Sequence, residues 1–388
     1  MNAHFTHQLP DYSHSSVNLM ASLSLSLGGG ATGYEPLHNL QPETLRGRPV
    51  ILLVIDGMGA ELLQRYPDSF LARHTLDTLS AVFPSTTASA VTSFATGVAT
   101  QQHAITGWHM WLRELGSVAT ILPFVPRHGG SAYSRAGFSP RQFIGHAPIF
   151  DSLDVPVEVL SPEWIIHSDY TRATSGSARR HGYRHFDELL QKINALVSDG
   201  APRFVYGYWA ELDSLAHEFG ANSHKVEKHL LEMDAALATF ADTLRLSGAL
   251  LLITADHGLI DTDAQHTLYV HEHPTIAEAL TLPLCGEPRT AFCYLRPRHV
   301  LRFLDYVRNE WGHCCEIVES ESLIEQGFFG RGDAHPTLSS RVGDYTLLMK
   351  ENYIIRHRLP FEQPYTQIGV HGGLSRAEMQ VPLIAVVS

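Results

Sequence analysis

The sequence contains few cysteines, and their spacing matches no common metal or disulfide motif. The four are Cys285, Cys293, Cys314 and Cys315. They include no Cys-x-x-Cys pair, and two of them are adjacent, which is typical neither of a zinc knuckle nor of a disulfide framework. We therefore expect reduced, structural thiols of the kind found in cytoplasmic proteins.

Long apolar runs and an early basic segment are also missing. No apolar stretch approaches the roughly 18 residues that a membrane-spanning helix needs. The mildly apolar residues 17–28 are preceded by no Lys or Arg, and Arg46 is the first basic residue of these two types. Because a secretory signal peptide begins with a basic region, we interpret residues 17–28 as a helix of the mature protein. A cytoplasmic protein without a membrane partner is the resulting prediction.

Positive charge is scarce, and this argues against a nucleic-acid polymer as a partner. There are 28 Lys and Arg against 40 Asp and Glu, a net charge of −12, with no Lys/Arg-rich run. The net negative charge does not exclude small phosphorylated substrates, because bound metal ions can supply positive charge locally. The 24 histidines favour a metal site only modestly, since histidine is also an ordinary surface residue.

Continuous apolar runs predict a mostly parallel sheet. Such runs, without polar alternation, are typical of strands buried on both faces. Amphipathic or helix-like patterns lie between them, and the alternation predicts an α/β fold. The predicted strands are residues 49–55, 204–209, 249–254 and 381–387, and the predicted helices are residues 88–96, 185–198 and 223–246.

Residues 266–364 interrupt this alternation and predict an inserted α+β cap. They are richer in Pro, Arg and His, with a strand-like stretch at 290–295, a helical one at 298–312 and a hairpin-like one at 344–357. We therefore predict a catalytic core formed by residues 1–265, with a lead-in at 1–35, and completed by residues 365–388.

Metal-ligand residue types follow several of the predicted strands. Asp56 ends the first strand, and Asp256 with His257 ends the third. Asp213 and His217 are four residues apart, so that a helix would place both on one face. Ligands of open α/β sheets bind beyond the carboxyl ends of the strands. Each feature has a structural alternative, such as an Asp-Gly turn or an exposed Asp–His pair.

Three consecutive hydroxyl residues occur where a helix is predicted to begin. Ser and Thr are favoured helix caps, so capping is the structural interpretation. The functional one is a nucleophile, because a helix N-terminus stabilises an alkoxide and a phosphate alike. The local pattern does not decide between Ser85, Thr86 and Thr87. His371, before the last strand, would by itself be structural more often than functional.

Together these segments resemble the alkaline phosphatase superfamily, and within it the nucleotide pyrophosphatase/phosphodiesterase family. The resemblance depends on their order: an aspartate after the first strand, Pro-x-x-Thr about thirty residues later, Asp-x-x-x-His, Asp-His-Gly and a C-terminal His-Gly. It covers the core, about 260 residues, and not the cap. It implies an alkaline-phosphatase-like three-layer α/β sandwich.

The resemblance also implies a two-metal hydrolase that cleaves phosphodiester or pyrophosphate bonds of nucleotide-like or other small substrates. The reaction would proceed through a threonine nucleophile and a covalent phospho-threonine. Nitrogen and oxygen ligands suit Zn²⁺, with Mn²⁺ or Fe²⁺ also accepted. The implied ligands are Asp213, His217 and His371 for one ion, and Asp56, Asp256 and His257 for the other, with Thr87 as nucleophile and further ligand of the second ion.

Three other residues concern the substrate. At Ala90 the resemblance implies an asparagine that donates to phosphate, so preference for diesters stays open. His271 and His273, at the start of the cap, are predicted to shape the substrate pocket.

The alternatives to this function are a phosphomonoesterase or a phosphonate or sulfate hydrolase on the same scaffold, and an inactive metal-binding protein. Serine-hydrolase chemistry is disfavoured, because the sequence contains no Gly-x-Ser-x-Gly motif.

Overall fold

The computed structural model describes residues 8–363 and 365–387. The strands of this part are β1 (Pro49–Ile55), β2 (Thr75–Ser80), β3 (His109–Leu112), β4 (Ser117–Thr120), β5 (Val125–Pro126), β6 (Val157–Pro162), β7 (Arg179–Tyr183), β8 (Arg203–Trp209), β9 (Leu250–Thr254), β10 (Ile260–Asp261), β11 (Thr267–Tyr269), β12 (Cys285–Gly286), β13 (Thr290–Cys293), β14 (Cys315–Glu319), β15 (Tyr345–Met349), β16 (Ile354–Arg356), β17 (Gly369–Val370) and β18 (Gln380–Val387).

The α-helices range from single turns to a helix of 21 residues. They are α1 (Ser16–Ser26), α2 (Pro42–Leu45), α3 (Ala60–Gln64), α4 (Phe70–Arg73), α5 (Thr87–Thr96), α6 (Thr100–His103), α7 (Asp169–Ser175), α8 (Phe186–Val197), α9 (Glu211–Phe219), α10 (His224–Leu244), α11 (Pro274–Ala279), α12 (Val300–Glu310), α13 (Ser320–Glu325), α14 (Leu338–Arg341) and α15 (Arg376–Met379). Among the helices of the described residues, none combines the length and apolar character needed to cross a bilayer.

A seven-stranded sheet forms the centre of the molecule, in the order β2-β18-β9-β1-β8-β6-β7. Strands β9, β1, β8, β6 and β7 run parallel to one another. The prediction of a mostly parallel α/β sheet is therefore confirmed. Strand β18 is antiparallel to both β9 and β2, although its apolar run resembles the others. Burial on both faces leaves the same sequence pattern in either direction, so the pattern did not reveal this reversal.

Helices cover both faces of this sheet. Because consecutive residues of a strand point to opposite sides, neighbouring residues of β8 contact different helices. Tyr206 of β8 faces α5, with its ring centroid 6.4 Å from that of Phe94. A Cβ atom at the next residue, Gly207, would instead lie 3.6 and 3.8 Å from side-chain carbons of Ile193 and Leu189 in α8. The architecture is thus the three-layer sandwich that the sequence resemblance implied.

A second seven-stranded sheet has the order β14-β15-β13-β12-β3-β4-β5, and all its pairings are antiparallel. Its strands come from residues 109–126 as well as from residues 285–349. The division of the chain at residue 266 stays a prediction, and this sheet contains strands from both sides of that position.

The hairpin predicted for residues 344–357 is not formed. Strand β15 pairs with β13 and β14, whereas β16 leaves this sheet and pairs in parallel with β11. Two neighbouring strand-like runs indicate where strands lie along the chain, but they carry little information about pairing partners when the connecting turn lacks a hairpin signature.

A buried ion pair joins the second sheet to the segment before β18. Arg289 and Glu378 have fully buried side chains, with 3.0 Å between Nη2 and Oε2. Arg289 also donates to the Tyr353 carbonyl at 2.6 Å, and Glu378 accepts from the Gly373 amide at 2.7 Å. The pair therefore fixes the chain that leads from His371 into the central sheet.

Replacing Glu378 with glutamine should lower the free energy of unfolding by about 3–5 kcal/mol, because it leaves the Arg289 charge buried and uncompensated. Thermal or urea unfolding measures the loss. The matched control is Glu278→Gln, which removes an exposed partner of Arg302 at 3.5 Å. That change should cost less than about 1 kcal/mol. Equal losses in the two variants would contradict this account.

Glu378 should also make stability depend on pH in the acid range. Burial alone would raise its pKa, but the Arg289 charge and the donors at Gly373 and Ser375 lower it below the ordinary value of 4.5. The folded state thus binds the proton more weakly than the unfolded state. The stabilisation is complete above pH 4.5 or so and is lost as the pH falls through the lowered pKa. Acid unfolding of Glu378→Gln should show a shallower pH dependence than that of the wild type.

Candidate active site

The three central strands place the predicted ligands at one edge of the sheet. Strands β9, β1 and β8 are neighbours and parallel, so their carboxyl ends lie side by side. Asp56 directly follows β1, Asp256 and His257 follow β9, and α9 follows β8 with Asp213 and His217 on one face. Such an edge is where α/β sheets bind ligands.

Two compact groups of ligand atoms result. Within each group the donor atoms lie within 4.8 Å of one another. In the first group, His217 Nε2 lies 3.1 Å from Asp213 Oδ2. In the second, His257 Nε2 lies 3.4 Å from Asp56 Oδ1. The His257 and His371 rings stack with centroids 3.8 Å apart, so the two groups adjoin. The groups are Asp213, His217 and His371, which we call group 1, and Asp56, Asp256 and His257, which we call group 2.

Backbone carbonyls orient all three histidines in the same way. Because a carbonyl only accepts, each Nδ1 next to one carries the hydrogen, which leaves the lone pair on Nε2 for a metal ion. The Nδ1 contacts are His217 with Gly369 O at 2.7 Å, His257 with Gly258 O at 3.0 Å and His371 with Ser85 O at 3.2 Å.

The carboxylates of the two groups carry buried oxygens for which the described part of the chain provides no hydrogen-bond donor. These are Asp56 Oδ1, Asp213 Oδ1 and Asp256 Oδ2. An unsatisfied buried polar atom is costly, and a cation would compensate for it. Burial and the nearby charges of Asp256 and Asp213 also raise the pKa of Asp56 well above its usual range. The residues present therefore fit two divalent cations with nitrogen and oxygen ligands.

Among the three consecutive hydroxyl residues Ser85, Thr86 and Thr87, it is Thr87 that contacts a ligand of group 2. It is the first residue of α5, and its Oγ1 lies 3.2 Å from His257 Nε2. Both neighbouring hydroxyls have other partners. Ser85 donates to the Gly373 carbonyl at 2.8 Å, and Thr86 donates to a carboxylate oxygen of Glu287 at 2.5 Å. The structure thus separates three residues that the local sequence pattern left equivalent.

A cavity of about 1190 Å³ opens beside the two groups. Thr87, His217 and His371 line it, as does His271, one of the two predicted pocket histidines. Its volume exceeds the range of about 300–1,000 Å³ that is usual for small-molecule pockets. A substrate considerably larger than a phosphate group therefore fits.

Two of the predicted substrate contacts lie elsewhere. Ala90 is fully buried among apolar side chains such as Val17 and Val98, behind the cavity-facing side of α5. In this fold Ala90 thus lies outside the lining of the cavity. His273 contacts Tyr306 OH at 2.8 Å and packs edge-on against Trp311, so its ring belongs to the packing of the second sheet.

Glu287 was not predicted from the sequence, although it lines the cavity. It is buried, and its Oε1 accepts from Thr86 Oγ1 at 2.5 Å and from the Trp108 amide at 2.6 Å. Burial raises its pKa to about 7, although the hydrogen bonds from Thr86 and Trp108 act in the opposite direction. A single Glu in the turn between β12 and β13 gave no local signal, because its partners are far away in the chain.

Comparison with solved structures confirms the alkaline-phosphatase-like fold. Murine ectonucleotide pyrophosphatase/phosphodiesterase 5 is similar over 87% of this chain and 87% of its own, with 15% identity and a TM-score of 0.64. An inactive threonine-to-alanine variant of that enzyme in complex with AMP matches equally well. Phosphonoacetate hydrolase from Sinorhizobium meliloti, in complex with phosphonoformate, is similar over 87% of this chain and 90% of its own, with 17% identity and a TM-score of 0.62.

No curated protein sequence matches this chain. A family model does match, and it spans residues 50–374, from β1 to just beyond His371. The match includes both groups of ligand residues, Thr87 and the second sheet. The resemblance drawn from the sequence motifs is therefore confirmed, and the chain belongs to the type I phosphodiesterase/nucleotide pyrophosphatase family.

Proposed function

We propose that this protein is a two-metal hydrolase that cleaves phosphodiester or pyrophosphate bonds of nucleotide-like or other small substrates. Family membership supports a metal-dependent hydrolase that acts on phosphate esters. The observation that carries the finer proposal is the contact between the Thr87 hydroxyl and His257, inside a constellation of six carboxylate and imidazole ligands.

In this proposal, group 1 and group 2 each hold one divalent cation, most favourably Zn²⁺, with Mn²⁺ or Fe²⁺ as alternatives. The bound cations would supply Lewis acidity, lowering the pKa of a nearby hydroxyl and neutralising charge on the phosphoryl oxygens. The protein's own residues supply placement. The N-terminus of α5 directs its partial positive charge towards the position of Thr87 and of the phosphoryl group.

Thr87 is the proposed nucleophile in a double displacement. Its Oγ1 forms a bond to phosphorus while the bond from phosphorus to the leaving oxygen breaks. The threonine releases its proton, and the departing oxygen takes one up. Water then attacks the same phosphorus from the opposite side, which breaks the threonine ester and restores the Thr87 hydroxyl. The products are an alcohol or phosphate and a phosphomonoester.

Other activities on this scaffold remain alternatives. The similarity to phosphonoacetate hydrolase favours a phosphonate hydrolase as the second candidate. A phosphomonoesterase or sulfate hydrolase and an inactive metal-binding protein are the others. The complex of a murine relative with AMP supports a nucleotide-like substrate.

The four cysteines are free and buried, which supports a cytoplasmic location.

A panel of substrates tests these alternatives. The metal-loaded protein should hydrolyse bis-p-nitrophenyl phosphate at least about tenfold faster, in kcat/KM, than p-nitrophenyl phosphate. Zn²⁺ and Mn²⁺ are compared, and release of the nitrophenolate is measured. Preference for the monoester would support a phosphomonoesterase, and phosphate release from phosphonoacetate alone would support a phosphonate hydrolase. No turnover with any substrate or metal would support the inactive metal-binding protein.

A further inference from the structure

A partly buried arginine, Arg356, lines the cavity. At the end of β16, its Nη2 donates a hydrogen bond to Gln367 Oε1 at 3.1 Å. Within the described ranges 8–363 and 365–387, no Asp or Glu lies within ion-pair distance of it. By contrast, Arg127 in the same cavity pairs with Glu362 at 2.8 Å. Arg358 also lines the cavity, two residues further along.

An unpaired and partly buried cation is unfavourable unless a ligand compensates for it. Burial lowers the pKa of the Arg356 guanidinium, which shows the cost of keeping this charge away from water. A guanidinium binds phosphate or carboxylate through paired donors. Its partner Gln367 lies 3.2 Å from His217 Nδ1, so Arg356 is separated from group 1 by a single side chain.

We propose that Arg356, assisted by Arg358, forms a subsite for a second anionic group of the substrate, either a phosphate or a carboxylate. The proposal rests on the proposed function, because it assumes that the scissile phosphoryl group binds at group 1 and group 2. It favours pyrophosphates or phosphonates that carry a carboxylate over diesters with uncharged leaving groups.

Calorimetric binding of inorganic phosphate and pyrophosphate to the metal-loaded protein tests this subsite. The wild type should bind pyrophosphate more tightly than phosphate, and Arg356→Gln should reduce that ratio about tenfold or more. Arg302→Gln, on the exposed side of α12, is the control and should keep the wild-type ratio. Comparing phosphonoacetate with methylphosphonate in the same way shows whether a carboxylate can replace the second phosphate.

An unchanged ratio in Arg356→Gln, for both pairs of ligands, would overturn the subsite. A wild type that binds neither phosphate nor pyrophosphate would instead contradict the proposed function. The two failures are therefore distinguishable by the wild-type measurement alone.

An independent observation concerns the start of α5. Thr86 occupies the N-cap position, where a threonine hydroxyl normally accepts from an amide of the first helical turn. Here Thr86 makes no side-chain cap bond, and its hydroxyl is directed to Glu287 instead. Uncapped first-turn amides are available donors for an anion. They lie next to Thr87, where the phosphoryl group is proposed to bind.

From this geometry we infer that Glu287 is a positioning residue. By holding the Thr86 hydroxyl at 2.5 Å, it keeps that hydroxyl from capping α5, and the first-turn amides stay open to a phosphoryl oxygen. The same carboxylate oxygen also accepts from the Trp108 amide, and this second hydrogen bond holds the Glu287 side chain in place. This inference also rests on the proposed function.

A rescue experiment separates this role from simple packing. Glu287→Ala should weaken phosphate binding and lower kcat for bis-p-nitrophenyl phosphate by about tenfold, because the freed Thr86 hydroxyl can turn and cap the helix. Adding Thr86→Val should restore at least part of both quantities, since valine has no hydroxyl to compete for the amides. Glu287→Gln, which keeps an acceptor oxygen, should remain close to the wild type.

A purely structural role predicts the opposite order, with the double variant at least as impaired as Glu287→Ala. That order would overturn the inference while leaving the proposed function intact. Loss of phosphate binding in every protein, including the wild type, would instead contradict the proposed function.

Discussion

Replacing Thr87 with alanine should lower kcat for diester hydrolysis by at least about 10³-fold, because removal of a nucleophile typically costs that much or more. The side chain is small and lies at the start of α5, so the fold should be preserved. Group 1 and group 2 keep all six of their carboxylate and imidazole ligands. Metal content, measured by elemental mass spectrometry, should therefore stay near two ions per chain while the kinetic assay shows the loss.

Two neighbouring variants serve as controls for this result. Thr87→Ser keeps a hydroxyl at the same position and should retain much more activity than Thr87→Ala. Ser85→Ala removes a hydroxyl that donates to Gly373 and not to the metal ligands, so most activity should remain. Full activity in Thr87→Ala would transfer the role of nucleophile to another hydroxyl or to water.

Replacing Asp256 with asparagine should remove the ion of group 2 and lower activity by about 10³-fold or more. Asp256 is fully buried, and its Oδ1 accepts from the amides of Gly57 at 3.1 Å and His257 at 3.0 Å. Asparagine can keep these two hydrogen bonds, but it places a neutral group where Oδ2 now lacks a donor. The change thus removes a ligand charge with little change of shape. Elemental analysis should show close to one ion per chain.

In the metal-free protein, replacing Asp256 with asparagine should not lower the unfolding temperature. Without cations, the charge of Asp256 next to Asp56 is repulsive; burial and, after it, this repulsion raise the pKa of Asp56. Asp256→Asn should therefore unfold at a temperature equal to or above that of the metal-free wild type, while the metal-loaded wild type is the most stable of all. Asp263→Asn, at an exposed position, should change neither metal content nor activity. A full complement of two ions in Asp256→Asn would contradict the assignment of group 2.

Elements with a strong periodic or continuous pattern could be predicted closely from the sequence. Strand β1 spans the predicted residues 49–55, and α10 covers His224–Leu244 within the predicted 223–246. These patterns reflect burial, which is a local property of the chain. The direction of β18 and the partner of β16 depend on how distant segments meet. No local pattern encodes such a pairing, and the predicted hairpin at 344–357 was wrong for that reason.

The same distinction applies to the site. The placement of Asp56 and Asp256 at one edge of the sheet could be predicted, because both follow apolar strands and parallel strands bring their carboxyl ends together. The local pattern left Ser85, Thr86 and Thr87 open, and only the family resemblance implied Thr87. The hydrogen bonds that engage Ser85 and Thr86 could not be predicted, because their acceptors are more than two hundred residues away in the chain. Glu287 and Arg356 had no signal in the sequence, because their importance arises from what surrounds them in the fold.

The stereochemistry at phosphorus distinguishes a Thr87 nucleophile from direct attack by water. Each in-line displacement inverts the configuration, so two successive displacements through Thr87 restore it. A chiral phosphorothioate diester is hydrolysed in ¹⁸O-labelled water by the metal-loaded protein, and the configuration of the product is determined. We expect retention of configuration. Inversion would show a single direct attack by water and would contradict Thr87 as the nucleophile.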